Sequence, residues 1–263
     1  MTVVSCVRSK TSLADDRTPV IGWQRTVIHQ GFQTYGVTLN RPPVASGTIV
    51  GLEDSKVTIS QGVSLAESTA YYLEILSGSY EGHRFEVNDM ESAGAKIAVT
   101  LDSVRSTLQA LPSGLTNADF LIRPHWTLDN VFPKSALSGG NDVATADQIL
   151  CFNGMSYDTY YLLQQGNFNH WTGLSDSTLS VADRRILGPG EGTILSKPTS
   201  GVSELLTIGH VRRTAFRQSL KQGYQLVCGG YPVETTPFGR GLTTDNGFIA
   251  GTTPEEADEV PPN

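Results

Sequence analysis

The sequence predicts an all-β protein: a β-sandwich-like body carrying an inserted small β-barrel that contains one short helix. Three observations predict it. Short stretches of apolar–polar alternation, the period of a strand, recur along most of the chain. Glycine is frequent, at 27 of 263 residues, and Ser and Thr are abundant, as a fold with many turns requires. Between residues 45 and 124 five or six short strands with one helix before the last match the make-up of a small closed barrel.

The clearest element is Thr69–Val87. Tyr71, Leu73 and Ile75 alternate with Tyr72, Glu74 and Leu76; a turn with Gly78 and Gly82 follows; Phe85 and Val87 then alternate with Arg84 and Glu86. This is a hairpin whose inner face is Tyr71, Leu73, Ile75, Phe85 and Val87.

Taken in order, residues 1–17 form a polar N-terminal arm whose few apolar residues, Val3, Val4, Val7 and Leu13, are too few for a core. The arm is a candidate for docking on a neighbouring subunit. Strands are expected at Gly22–His29 and Gln33–Leu39, ended by Arg41-Pro42-Pro43, because proline cannot continue a ladder. The inserted barrel spans 44–123, with strands at Gly47–Leu52, Lys56–Ile59, Tyr71–Leu76, His83–Val87, Lys96–Leu101 and Asp119–Arg123. Its short helix is placed at Ser103–Ala110, capped by Asp102 and stopped by Leu111-Pro112-Ser113-Gly114.

The body comprises 18–43 plus 124–242. Aromatic residues concentrate after Pro124, with strands at Gln148–Asn153, Thr159–Gln164, Asn169–Trp171, Gly192–Lys197 and Glu204–Val211, and a hairpin turn at Asn153-Gly154. A further strand pair is expected at Arg213–Gln218 and Tyr224–Gly229. Arg25-Thr26 before Gln30-Gly31-Phe32-Gln33 is echoed by Arg213-Thr214 before Gln222-Gly223-Tyr224-Gln225, which would make the first and last pairs equivalent. Residues 243–263 form a flexible acidic tail.

Composition excludes several functions. The net charge of -7 disfavours nucleic acid as a partner. No apolar run approaches the roughly 18–20 residues of a membrane span. Cys6, Cys151 and Cys228 show no metal spacing and no CxxC, so they read as thiols, with a Cys151–Cys228 bridge left open. The start MTVVSCVRSK lacks the pattern of a secretory signal.

Candidate chemistry is sparse. Gly188-Pro189-Gly190-Glu191-Gly192 lacks the Lys-Ser/Thr of a phosphate-binding loop and reads as a turn. His29, His83, His125, His170 and His210 have no zinc spacing, and no cofactor is expected. His125, at the junction of the two units, reads as a packing or hydrogen-bonding residue. Asp176 and Asp183 are a carboxylate pair of the kind a glycosidase needs, the weakest reading of all. Trp126, Tyr160, Tyr161 and Trp171 are candidates for stacking a sugar or contacting a subunit, set against a place in the core.

Several segments together resemble a family of uncharacterised β-rich proteins of Verrucomicrobia and related bacteria. They are Gly31–Thr48, Tyr71–Val87, Phe120–Leu128 (FLIRPHWTL), Ala146–Asn153 with Tyr160-Tyr161 and Trp171, and Pro189–Gly192. The resemblance covers about Thr18–Leu242. It implies export, so an extracellular or cell-surface location, and carries over no catalytic residue.

These readings lead to an expectation of a non-enzymatic structural protein, a self-associating subunit of a surface layer, extracellular filament or particle. A carbohydrate- or cell-surface-binding module, with surface polysaccharide as its partner, is the alternative.

Overall fold

The computed structural model describes residues 19–101, 105–220, 225–233, 236, 238–240, 242–253 and 257–258. It is nearly all β, with one closed barrel and additional sheets.

The barrel is built from β3 (Ala45–Glu53), β4 (Lys56–Ile59), β5 (Tyr71–Ile75), β6 (Arg84–Ala93), β7 (Lys96–Thr100) and β8 (Asp119–Pro124), closed in the order β3-β4-β7-β6-β5-β8. Closure leaves none of the six with an open edge. Bulges between Ile49 and Gly51 in β3, and between Asn88 and Ala93 in β6, let the strands bend around the corner. The β5–β6 hairpin has the expected register, Leu73 opposite Phe85 and Tyr71 opposite Val87. Tyr71, Leu73, Ile75 and Phe85 are buried in the barrel core with Ile49, Ile97, Phe120 and Ile122, and Val87 packs against them.

The expected helix at Ser103–Ala110 falls partly on residues 102–104, outside the described set; Arg105–Ala110 is irregular. The short helical turn of the barrel is instead the 3-10 turn Ser113–Leu115, which seats Leu115 in the core. Pro112 before it and the hydroxyl and glycine of Ser113-Gly114 favour a tight turn over a longer helix.

The chain meets itself on either side of the barrel. β1 (Ile21–Ile28) pairs antiparallel with β15 (Ser203–His210) as a two-stranded ribbon. β2 (Gly31–Gly36) pairs with β14 (Gly192–Lys197) at the edge of a five-stranded sheet. That sheet runs β12-β11-β10-β14-β2, with β10 (Gln148–Phe152), β11 (Tyr157–Gln165) and β12 (Phe168–Gly173) joined antiparallel. The ribbon lies over the sheet, and Ile28, Tyr35, Phe132, Ile149, Trp171 and Leu205 fill the space between. A two-residue pair, β9 (Trp126–Thr127) with β13 (Ile186–Leu187), and one helical turn, α1 (Leu128–Val131), close the end nearest the barrel. Both are too short to show a period in the sequence.

The strand pair expected at Arg213–Gln218 and Tyr224–Gly229 does not form among the described residues. Residues 213–220 are irregular, and 225–229 carry one isolated bridge, Val227 to Glu191. The 213–220 segment crosses from body to barrel and spends its backbone there: Arg217 N donates to Gly82 O at 3.2 Å and Ala215 N to Glu81 Oε1 at 3.0 Å. Arg213-Thr214 is therefore not in a strand, unlike Arg25-Thr26, and Gln222, Gly223 and Tyr224 of the sequence echo lie outside the described residues.

Candidate functional site

Of the aromatic residues singled out by sequence, Trp171 and Tyr161 are buried in the body, and Trp126 and Tyr160 are half-buried. Trp171 Nε1 donates to Phe132 O and Trp126 Nε1 to Leu39 O, so both indoles are held from within. Arg41 lies over the Trp126 ring and Arg185 over Tyr160. Trp171 and Tyr161 offer no face to a ligand from solvent. Val3, Val4, Val7 and Leu13 lie outside the described residues.

The two acids have local tasks. Asp176 is half-buried and caps its own loop, accepting from Thr178 and Ser180; these hydrogen bonds hold its carboxyl far below the usual range. Asp183 accepts from the Trp171 backbone N at 2.8 Å and pairs with Lys134. No disulfide joins Cys151 to Cys228, and burial pushes the Cys151 thiol up to about 12. Among the described residues no group of His, Cys, Asp or Glu is placed to hold a metal ion, and no helix is long and apolar enough to cross a membrane.

Two features stand out instead. The first is an ionic seam where the barrel meets the body. The outer side of the β5–β6 hairpin carries Tyr72, Glu74, Arg84 and Glu86; Glu74 is 1% and Arg84 4% exposed. Glu74 Oε1 pairs with Arg212 Nη1, and Glu74 Oε2 lies 3.4 Å from Arg123 Nε. Arg212 also donates to Asn40 Oδ1 at 3.0 Å, which Tyr72 OH reaches from the barrel side. His125, fully buried, stacks on Tyr72 and places Nε2 3.1 Å from Glu86 Oε1, though the ring is not aligned for a hydrogen bond.

Burial alone would push Glu86 up; the His125 imidazole, Arg105 and Arg84 outweigh it and hold the carboxyl below its ordinary value. Arg84 donates to Arg217 O and Pro189 O and lies over Phe216. Its burial pushes its pKa down to about 10. The 188–191 turn closes the seam: Gly188 N donates to Glu191 Oε2 at 2.8 Å, with Arg105 and Arg185 against the same carboxylate.

The second feature is the outer face of the ribbon. Strand alternation normally turns the apolar side inward, and here it turns outward. Ile21, Trp23 and Val27 of β1 are exposed, as are Leu206 and Ile208 of β15, with Trp23 at 69%. Trp23 stands opposite Ile208 and Arg25 opposite Leu206. On the inner side Gly22, Gln24, Thr26, Thr207 and Gly209 are small or polar where the body approaches closely, and Ile28 and Leu205 enter the core. An added Cβ at Gly209 would lie 2.6 Å from Asn40 O. Gln24 Nε2 donates to Gly36 O at 2.9 Å, and Thr207 shares a hydrogen bond with the buried Tyr35 OH. These contacts fix the register, since a one-residue slip would drive Trp23 into the space that Gly22 and Gly209 leave.

The seam and the ribbon belong to an all-β protein in which the barrel and the body are joined by buried ion pairs and hydrogen bonds. No protein-family model, curated protein or solved structure matches the chain.

Proposed function

We propose that the protein is a non-enzymatic structural protein whose copies associate through the outer face of the β1–β15 ribbon. The observation that carries this reading is the apolar outer face: five apolar side chains point to solvent, while most of the inward positions are Gly, Thr or Gln and only Ile28 and Leu205 there are large and apolar. An exposed apolar patch of this kind on a folded chain marks a contact surface. The occupant we assign is a second copy. The two charged groups on the face, Arg25 and Glu204, neutralise each other at 2.6 Å, so copies meet there without local repulsion despite a net charge of -7 each.

The ribbon face is small. Eight residues at about 3.4 Å each and two strands give a footprint of roughly 270 Å² per copy. Twice that is well short of the roughly 1,200–2,000 Å² of a stable interface. More surface must join, and residues 1–17, with Val3, Val4, Val7 and Leu13, precede β1 in the chain by a few residues. An assembly built this way suits a surface layer, filament or particle outside the cell, the setting that the family resemblance implies.

Sedimentation of the full chain over a hundredfold concentration range tests this. The wild type is expected to associate, more strongly at 0.5 M salt than at 0.05 M, because screening relieves the overall repulsion. Trp23→Ser with Ile208→Ser is expected to remain monomeric with an unchanged circular dichroism spectrum. A wild type that is monomeric at every concentration and salt level, or a variant that assembles equally well, overturns the reading.

A further inference from the structure

The ionic seam holds more positive than negative charge. Five guanidinium groups, of Arg84, Arg105, Arg123, Arg185 and Arg212, face three carboxylates, of Glu74, Glu86 and Glu191. Arg123 and Arg212 share Glu74, and Arg105 and Arg185 share Glu191. Arg84 is left over: among the described residues no carboxylate forms an ion pair with it, and its Nε has no hydrogen-bond partner. A buried cation whose direct contacts are two carbonyls and a ring, with Glu86 acting on it only through space, is under-compensated.

Arg84 lines a cavity of about 50 Å³, together with Arg105, Ser106, Thr107, Glu191 and Gln218. A single water needs only about 10–15 Å³ on this measure, so the cavity has room for a few waters or one small polyatomic ion. Glu191 does not make the cavity anionic, because Gly188 N, Arg105 and Arg185 already engage its two oxygens. The hydroxyls of Ser106 and Thr107 are likewise engaged, at Thr100 O and Arg84 O. The lining therefore brings two arginines, Arg84 and Arg105, to the cavity beside the amide side chains of Gln218 and Gln225, with Arg105 also held by Glu191 and Ile186 O.

We infer that this cavity is a binding site for a small inorganic oxyanion of the phosphate or sulfate class, held between Arg84 and Arg105 with Gln218 completing the shell. Planar guanidinium forks match the paired oxygens of such an ion better than a spherical halide. Bound there, the ion would link β6 of the barrel to the crossing segment through Gln218, and so tie the two parts of the chain together. The inference does not depend on self-association.

Calorimetric titration of the full chain with inorganic phosphate, in chloride buffer at constant ionic strength, is the test, with thermal melting alongside. The wild type is expected to bind close to one phosphate per chain, to melt higher in proportion to the logarithm of phosphate concentration above the dissociation constant, and to bind sulfate in competition. Arg105→Gln, at a partly exposed position, is expected to weaken binding at least about tenfold. Gln218→Ala leaves every seam ion pair in place and is expected to weaken binding at least about threefold, so one folded variant remains informative if the other fails to fold. Sulfate and phosphate also stabilise proteins generally by exclusion from their surfaces. A melting rise that never saturates and is shared by both variants, the absence of binding heat with no saturable shift, or equal binding of chloride overturns the inference and leaves the cavity to water.

Discussion

Replacing Arg212 by Met isolates the cost of the seam. Arg212 is 6% exposed, its Nη1 pairs with Glu74, its Nη2 donates to Asn40, and its guanidinium lies over Phe216 at 4.9 Å. Methionine preserves much of the packing on Phe216 and removes the charge. Glu74 is then left 1% exposed with Arg123 as its remaining cation, at 3.4 Å. Removing one partner of a buried ion pair costs about 3–5 kcal/mol, because the stranded charge stays desolvated. At about 2–4 °C per kcal/mol for a chain of this size, the melting point should fall by about 6–20 °C. Urea unfolding followed by circular dichroism and tryptophan fluorescence gives the free energy directly, and Glu74→Leu with the double variant closes a thermodynamic cycle. Coupling above about 2 kcal/mol is expected for groups in contact within one network. A loss below about 1 kcal/mol for Arg212→Met, or coupling below about 0.5 kcal/mol, would show that water reaches Glu74 and that the seam is not closed.

Phe85→Ala empties the centre of the barrel core and is expected to cost about 3–5 kcal/mol by urea unfolding; a loss below about 1 kcal/mol would place the hairpin face in solvent. Gly82→Ala puts a side chain at φ +85 and within 2.9 Å of the Ala215 backbone, so it should destabilise by more than about 1 kcal/mol and loosen the crossing segment; a neutral result in the same assay would contradict that close approach. Glu86 is held below its ordinary pKa, so its contribution to stability is fully present above the normal Glu range, near 4.3, and is lost as pH falls through the lowered folded value. The stability gap between wild type and Glu86→Gln, measured from pH 7 to 3, should therefore be widest near neutrality and shrink below about pH 4; a constant gap would refute it. Residues 44–123 produced alone should unfold cooperatively, since the barrel core draws on no body residue, and a chain without a cooperative transition would show that the body is needed to close it.

Much of the fold was legible because its strands are short and amphipathic. β4 and β14 fall at the bounds their patterns suggest, and β5, β7, β8, β10 and β15 within one residue at each end. The seam was not legible. Tyr72, Glu74, Arg84 and Glu86 occupy alternate positions of a hairpin, and in any sequence that pattern reads as a solvated outer face. They become buried because Arg123, His125 and Arg212 and the 213–220 segment cover them, and such long-range pairs leave no local trace. The same segment misled the strand reading at Arg213–Gln218: Phe216, between two arginines at 213 and 217, alternates as a strand would, but its ring serves Arg84 and Arg212. For β1, alternation located the strand but not which side faces inward. That choice was made by Gly22, Gly209 and Tyr35, through how closely two backbones can approach.

The two features are joined by one physical requirement, that the barrel keep a fixed attitude to the ribbon. A barrel reached by two connections, β2 to β3 and β8 to β9, could swing if only apolar surface lay beneath it, because apolar contacts are non-directional. Ion pairs and hydrogen bonds are directional, and each cross-link here runs between different elements: Glu74 to Arg212, Tyr72 to Asn40, Arg84 to Pro189 and Arg217. Buried pairs add little net stability over well-packed apolar residues of similar size. Their contribution is orientation, since any rotation that separates one pair strands a buried charge. In the repeating assembly proposed above, that would matter more than stability, because an angular error at the joint would be multiplied along every copy that follows.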